Sequence, residues 1–253
     1  MTTNDNAPSD DAAGGVDRPT NESKLERLAE SHPSRVGVGR AGPRPRTQTL
    51  LEFRADHGEA RDAVTTHVDD DVLAGLDLVA VRSRATSKEE FLADPDKGRD
   101  LPEEAASRLR EACAPAPDVQ IVVSDGLSST AVEANVPELL PALLDGLDAR
   151  GLDVGTPVFV EYGRVDVMDA VGEVLDAECC VNLIGERPGL ATNESLSAYF
   201  VYGPERGKST AKKSVISNIH RNGLPPVEAG AEVAAVLDEI HEAERSGIDR
   251  GER

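Results

Sequence analysis

The run Cys179-Cys180-Val181-Asn182-Leu183-Ile184 constrains the fold more than any other stretch of the chain. It presents no polar face apart from Asn182, so it reads as a strand covered on both sides, and such strands belong to parallel sheets. Gly185-Glu186-Arg187-Pro188-Gly189-Leu190 turns sharply straight after it. In open α/β sheets, ligands settle just beyond the carboxyl ends of strands, so this turn is the first place to look for chemistry.

The flanking segments supply the alternation such a sheet needs. Val119-Gln120-Ile121-Val122-Val123 is a β-branched strand that ends at Ser124-Asp125-Gly126. Leu139, Leu140, Leu143, Leu144 and Leu147 form a helical stripe closed by Gly151, with Pro141 expected to kink the helix or delay its start. Val158-Phe159-Val160 is a second strand, ending at Glu161-Tyr162-Gly163-Arg164-Val165. Val167, Met168, Val171, Val174 and Leu175 mark a second helix, with Asp166 as its N-cap. Residues 196–202 read as a further strand, and Pro225-Pro226 opens a last helix with Val233, Val236, Leu237 and Ile240 on one face. The polar segment 203–224 between them holds three of the six Lys and no predicted element. Strand and helix in alternation predict an α/β fold: a doubly wound, mostly parallel, Rossmann-like sheet with right-handed crossovers.

Upstream, the pattern is weaker. Residues 1–33 form an acidic tail, poor in apolar side chains and expected to be disordered, with a short helix at 24–30. Residues 34–115 hold a basic arm followed by a helical and mixed region, and 116–253 hold the α/β domain. The arm carries Arg35, Arg40, Arg44 and Arg46 without an acid, and its Gly and Pro forbid a helix. A charge reversal of this kind points to contact with a partner or a cofactor. Residues 48–67 read as a helix with a Thr49–Glu52 capping box and with Leu50, Phe53, Ala60 and Val64 on one side. Residues 76–81 read as a strand, 82–100 as a surface excursion, and 103–112 as a helix stopped by Pro115 and Pro117. Asp69-Asp70-Asp71 reads as a solvated helix end rather than a metal site, because consecutive side chains splay.

Charge narrows the partners. The chain has 27 basic and 47 acidic residues, a net charge of −20, and only six of the basic residues are Lys. An acidic, Arg-rich chain suits high salt, where self-repulsion is screened, and does not suit nucleic acid. No apolar run is long enough to span a membrane, and the N-terminus has no signal-peptide pattern, so a cytoplasmic location is expected. Cys113, Cys179 and Cys180 show no metal spacing, and the two adjacent ones point to opposite faces of a strand.

The three strand ends around Asp125, Arg164 and Glu186 would line one crevice. It holds no base beside a nucleophile, Ser128-Ser129 lacks the flanking glycines of a nucleophile elbow, and the first turn lacks the dinucleotide glycines. From the residues alone, a stand-alone α/β binding protein for a nucleotide-like ligand stays open. Asn218-Ile219-His220-Arg221-Asn222-Gly223 approaches the Asp-x-His-x-x-Gly motif, in which a His replaces the lower base of cobalamin on cobalt. Here Asn stands where an Asp would orient the His, so His220 reads as a hydrogen-bonding residue.

Several motifs together resemble a known family. They are Gly39-Arg40-Ala41-Gly42-Pro43-Arg44-Pro45-Arg46-Thr47, Ser124-Asp125-Gly126-Leu127-Ser128, Tyr162-Gly163-Arg164-Val165, Gly185-Glu186-Arg187-Pro188-Gly189-Leu190, Glu194-Ser195-Leu196-Ser197, Ile216-Ser217-Asn218-Ile219-His220 and Pro225-Pro226-Val227-Glu228-Ala229. In this order, over residues 34–250, they resemble the small (light) subunit of ethanolamine ammonia-lyase. The resemblance implies adenosylcobalamin as cofactor, conversion of ethanolamine to acetaldehyde and ammonia, and a large partner subunit that holds the substrate. The small subunit would close over base-on cobalamin, contributing neither a catalytic residue nor a metal ligand. It implies that Val165 and Glu186 contact cobalamin through backbone carbonyls. Val215 stands at a third contact position, where relatives carry Cys. It also implies that the basic arm lies on the large subunit.

Overall fold

The computed structural model describes residues 15–31 and 35–248, so residues 1–14 and 32–33 of the expected disordered tail lie outside the described residues, while 15–31 are described and contain a helix close to the one expected at 24–30. The chain divides into two compact units: residues 1–61 with 189–191, and residues 62–188 with 192–253.

In the first unit, α1 (Glu22–Glu30) is capped by Asn21, whose side chain accepts from the Lys24 N–H at 3.0 Å. The basic arm is a tight hairpin of two short strands, β1 (Arg40–Ala41) and β2 (Arg44–Pro45). Gly42 at the turn has φ +63°, a conformation that favours glycine. Helix α2 (Thr47–Thr65) covers all but the last two residues of the helix expected at 48–67, but without its expected cap. Thr49 lies inside the helix, and Glu52 accepts from the Gln48 side chain instead. The apolar side predicted at Leu50 and Phe53 is not buried: Leu50, Leu51 and Phe53 remain 37%, 58% and 42% exposed.

The second unit is an α/β sandwich. Its sheet has six strands in the order β3-β5-β4-β6-β7-β8. They are β3 (Val79–Arg82), β4 (Val119–Ser124), β5 (Val158–Glu161), β6 (Cys179–Gly185), β7 (Leu196–Tyr202) and β8 (Ser214–Ile219). The first four in that order are parallel, and β7 and β8 are antiparallel additions. The sheet is therefore mixed. β8 falls in the segment where the sequence showed no element, because an edge strand with three exposed residues carries little apolar signal.

Helices cover both faces. On one lie α6 (Ser129–Asp148) and α8 (Pro226–Ala243), against Ile121, Val123, Cys179, Val181 and Leu183. On the other lie α5 (Glu103–Ala112) and α7 (Val167–Leu175), against Val122, Val160, Cys180 and Val201. This two-sided cover is why all seven residues of β6 are buried. It also separates Cys179 and Cys180 onto opposite faces, as expected. Each fully buried Leu of the α6 stripe contributes roughly 1.5–3 kcal/mol. Helix α8 packs closely on α6 because Gly146 faces Ala234 and Gly230 faces the Leu139 carbonyl.

Helix α6 begins ten residues before the leucine stripe, at the Ser128 N-cap, and runs through Pro137 and Pro141 without stopping. Both prolines are on its exposed side, where the carbonyls they deprive of a donor can turn to water. The expected surface excursion at 82–100 is partly built. Helix α4 (Lys88–Ala93), capped by Ser87, buries Phe91, and a 3₁₀ turn (Pro95–Arg99) follows. Glu90 reaches back to the Thr86 N–H at 2.7 Å, so Ser87-Lys88-Glu89-Glu90 was a readable capping signature. The remaining helix, α3 (Asp70–Ala74), is capped by Asp69, which accepts from the Asp71 N–H at 2.8 Å. The Asp69-Asp70-Asp71 run is thus a helix start. Among the described residues no helix is long and apolar enough to cross a membrane.

Candidate functional site

The chain leaves β4 for α6 on one face and leaves the neighbouring β5 for α7 on the other. The two loops part there, and a crevice opens at the carboxyl ends of the strands. It is a cleft of about 480 Å³ bordered by Gly126 and Leu127 after β4, Arg164 and Val165 after β5, and 184–187 at the end of β6. The three predicted strand ends do meet. The floor is backbone: the Leu127 N–H donates to the Gly185 carbonyl at 3.0 Å, and Gly126 turns at φ +55° against Gly185. A methyl at 185 would overlap the carbonyl oxygens of Ser128 and Asp125.

Of the three residues singled out for cofactor contact, Val165 and Glu186 border this cleft directly. Val215 does not, but it stands opposite Tyr199 on β7, which does. Tyr199 in turn stands opposite Asn182 on β6, so Asn182, Tyr199 and Val215 form one row across the sheet. Asn182 Nδ2 donates to the carbonyls of Arg164 (3.4 Å) and Val165 (3.3 Å). The one polar residue in the buried run thereby holds the loop that carries Val165. The exposed Val215, at 48%, lies two residues from Ser217, another lining residue.

Polar groups around the cleft divide into spent and unspent. The Glu186 carboxylate accepts from Ser195 Oγ (2.8 Å), from Ser197 Oγ and from the Asn218 N–H (3.3 Å), while its own N–H donates to Ser195 O at 3.0 Å. It is a structural acceptor that ties the β6 turn to β7 and β8. Asp125, expected in the crevice, turns away from it. Its carboxylate meets Lys88 Nζ at 3.1 Å, and burial pushes its pKa up against the pull of Lys88. The two arginines differ from these acids. Arg164 lays its guanidinium over the Phe91 ring at 4.1 Å and donates through Nη2 to Phe91 O at 3.1 Å. Burial, then the fields of Arg187 and Arg99, lower its pKa.

A buried ion cluster braces the same loops. Asp166 stands at the N-cap of α7 as expected, but its side chain makes no capping hydrogen bond. Its carboxylate instead receives Lys213 Nζ at 2.7 Å. The same Nζ lies 2.7 Å from Asp169 Oδ2, off the line of a hydrogen bond, and 3.3 Å from Lys208 O. Asp169 and Lys213 are almost fully buried. Burial pushes the Asp169 carboxyl up to about 6, with Lys213 opposing. Lys213 immediately precedes β8, and Asp166 follows Val165, so this cluster joins the segments carrying Val165 and Val215.

Other residues take structural roles. His220 accepts from the Asn222 N–H through Nδ1 (3.3 Å), leaving Nε2–H to donate to Asn218 Oδ1 (2.8 Å), which agrees with the hydrogen-bonding reading. Ser128 Oγ accepts from the Ala131 N–H and donates to Asn193 O, and Ser129 pairs with Thr66. Burial raises the thiol of Cys179 to about 12 and that of Cys180 well above its ordinary value, so neither is a ready thiolate. At the opposite, amino ends of the strands, Asp118, Glu178 and His241 gather within 4.8 Å, a trio not foreseen from spacing. His241 Nε2 lies 3.1 Å from Glu178 and 3.8 Å from Asp118, at the surface.

Comparison with known proteins follows the same segments. The family model for the ethanolamine ammonia-lyase light chain matches residues 22–250. The ethanolamine ammonia-lyase small subunit of Fusobacterium nucleatum subsp. nucleatum is 47% identical over 230 residues, covering 91% of this chain and 78% of the relative. The small subunit of Clostridium tetani is likewise 47% identical over 234 residues, covering 92% and 79%.

Proposed function

Because the chain belongs to the ethanolamine ammonia-lyase light-chain family, we propose that it is the small subunit of that enzyme and clamps adenosylcobalamin against a large catalytic subunit. The observation that carries the clamping role is the cleft at the ends of β4, β5 and β6, with Val165 and Glu186 on its rim. Its chemistry fits a corrin edge. The corrin rim bears amides that donate hydrogen bonds, and the Val165 carbonyl keeps a lone pair beyond its single bond to Asn182. Leu127, Val165, Ile184 and Tyr199 supply apolar contact for the ring edge. The cleft is open to the surface, which suits a group held between two proteins better than one enclosed by this chain.

When bound, adenosylcobalamin would supply the radical that starts the conversion of ethanolamine to acetaldehyde and ammonia. This chain's own work is positional. Asn182 holds the Val165 loop, the Glu186 carboxylate holds the β6 turn to β7 and β8, and Lys213 joins α7 to β8. Bringing Val215 to the cofactor would then extend the contact along the Asn182–Tyr199–Val215 row. No group on this chain acts as base or nucleophile in the reading, and the substrate would be held by the partner.

The first unit supports the partner part of the reading. Leu50 and Phe53 border an apolar pocket of about 280 Å³ beside Arg35 and Arg40, and Leu51 stands open next to them. An exposed apolar patch of this kind is a surface made for another protein.

Reconstitution tests the proposal. The chain, the matching large subunit, adenosylcobalamin and ethanolamine are mixed, and acetaldehyde is measured with each component left out in turn. Turnover should require all of them. Full turnover by the large subunit without this chain would sink the idea.

A further inference from the structure

Arg164 and Arg187 both border the cleft, and neither has an ion-pair partner among the described residues. Elsewhere in the described chain, eight other arginines stand within 4 Å of a carboxylate, and seven more without such a pair are exposed, whereas Arg164 is half-buried. In a chain with 47 acids to 27 bases, two adjacent guanidinium groups without an acid need a physical reason. The nearest candidate counter-ion is Glu186, next to Arg187 in sequence. Its carboxylate is instead taken up by Ser195, Ser197 and the Asn218 N–H. Asp125 is committed to Lys88. Arg99 is neutralised by Asp96 and Asp166.

Arg164 is also held in place. Its guanidinium stacks on Phe91 and donates to Phe91 O, while Nε is buried without a partner. Stacking fixes the plane of the guanidinium, and a fixed plane suits bidentate recognition of an oxyanion. Arg187 is exposed on the β6 turn and free to swing toward the same anion. Repulsion between the two cations raises the energy of the empty cleft, and an anion between them removes that repulsion.

We propose that Arg164 and Arg187 form an anion subsite that receives the phosphodiester of the cobalamin nucleotide tail. The proposal rests on the cobalamin reading above and deepens it. The amide side chains around the corrin are neutral, and the phosphodiester is the molecule's anionic group. The carbonyls of Val165 and Glu186 and the cations of Arg164 and Arg187 alternate along the two turns, so one cleft offers acceptors to the amides and donors to the phosphate.

The test compares cyanocobalamin with cobinamide, which lacks the nucleotide tail and its phosphate. Both are titrated by absorbance into the reconstituted two-subunit complex, wild-type and with Arg164→Gln, Arg187→Gln or both. The variants should bind cyanocobalamin roughly tenfold or more weakly, the effect of losing a charge-assisted hydrogen bond. Cobinamide affinity should stay within about twofold, and Arg187→Lys should restore part of the cyanocobalamin affinity. The exposed position of Arg187 makes its variant safe for folding. Equal losses for both ligands would make the arginines mere loop braces, and unchanged cyanocobalamin affinity would remove the subsite. If the wild-type complex bound neither ligand, the cobalamin reading itself would fail, and the subsite with it.

Discussion

Lys213→Met separates electrostatics from packing in the loop brace. Methionine fills the space of the lysine stem and removes only the charge. Breaking a buried ion pair usually costs 3–5 kcal/mol, because the remaining charge is stranded. Asp169 is not stranded, since it can take a proton. Its folded carboxyl is already at about 6, against an ordinary 3.8. A raised carboxyl costs stability that is absent below the ordinary value, grows as pH rises through the gap, and is complete above the folded value. For the wild type that cost is about 3 kcal/mol at pH 7. Without Lys213 the carboxyl rises further, and staying protonated at pH 7 caps the cost at about 4 kcal/mol. The variant therefore loses about 1–1.5 kcal/mol through Asp169, plus up to about 1 kcal/mol from the partly exposed Asp166 pair. That is a fall in Tm of about 2–10 °C at pH 7 for a chain of this size. At pH 5 both proteins hold the Asp169 proton, so the Asp169 part vanishes and the deficit shrinks to about 1 kcal/mol or less. Urea unfolding of both proteins at pH 5 and pH 7 measures this. Adding Asp169→Asn should recover the Asp169 part at pH 7. An equal deficit at both pH values would refute the reasoning and make Lys213 a packing residue.

The cleft yields three further predictions. Glu186→Gln keeps the backbone carbonyl and one side-chain acceptor, and the hydroxyls of Ser195 and Ser197 can turn to accept from the new amide. The complex should then bind cyanocobalamin within about threefold of wild type while losing about 1 kcal/mol of stability, and a loss of affinity beyond tenfold would show that the carboxylate itself matters. Gly185→Ala places a methyl on the Ser128 and Asp125 carbonyls, which belong to backbone and cannot swing aside. It should cost about 1–3 kcal/mol and weaken cyanocobalamin binding, and an unchanged melting curve would contradict the packed floor. Val215→Cys, tested by the same titration, should leave affinity unchanged, because the exposed edge position asks for shape rather than a thiol. A rise of more than threefold would give the sulfur a role.

The centre of the parallel half was legible because β4, β5 and β6 are almost wholly buried and α6 and α7 carry a leucine or valine stripe. The β6 run and the α7 pattern survive in the structure nearly residue for residue. The failures share one cause. Where a segment answers to neighbours rather than to its own periodicity, the apolar pattern does not reveal it. Edge strand β8 needs only one buried residue, Ile219. Helix α4 is a single turn and a half fixed by its cap and by Phe91. Asp166 does stand at the N-cap of α7, but a lysine 47 residues away takes its carboxylate in place of the local N–H groups.

The same distinction applies at the cleft and explains its division of labour. Periodicity located the three turns and residue type located the charges, but which charge is spent depends on β7 and β8. These antiparallel strands bring Ser197 and the Asn218 N–H to Glu186, and Lys213 to Asp166 and Asp169. They take up the acids beside the cleft one by one and leave Arg164 and Arg187 without partners. A purely parallel sheet ending at β6 would have let Glu186 pair with a neighbouring arginine and neutralise the rim. The antiparallel pair, which includes the strand hardest to read from the sequence, β8, therefore gives the cleft its positive charge, and a positively charged, carbonyl-edged cleft is the form an amide- and phosphate-bearing ligand requires.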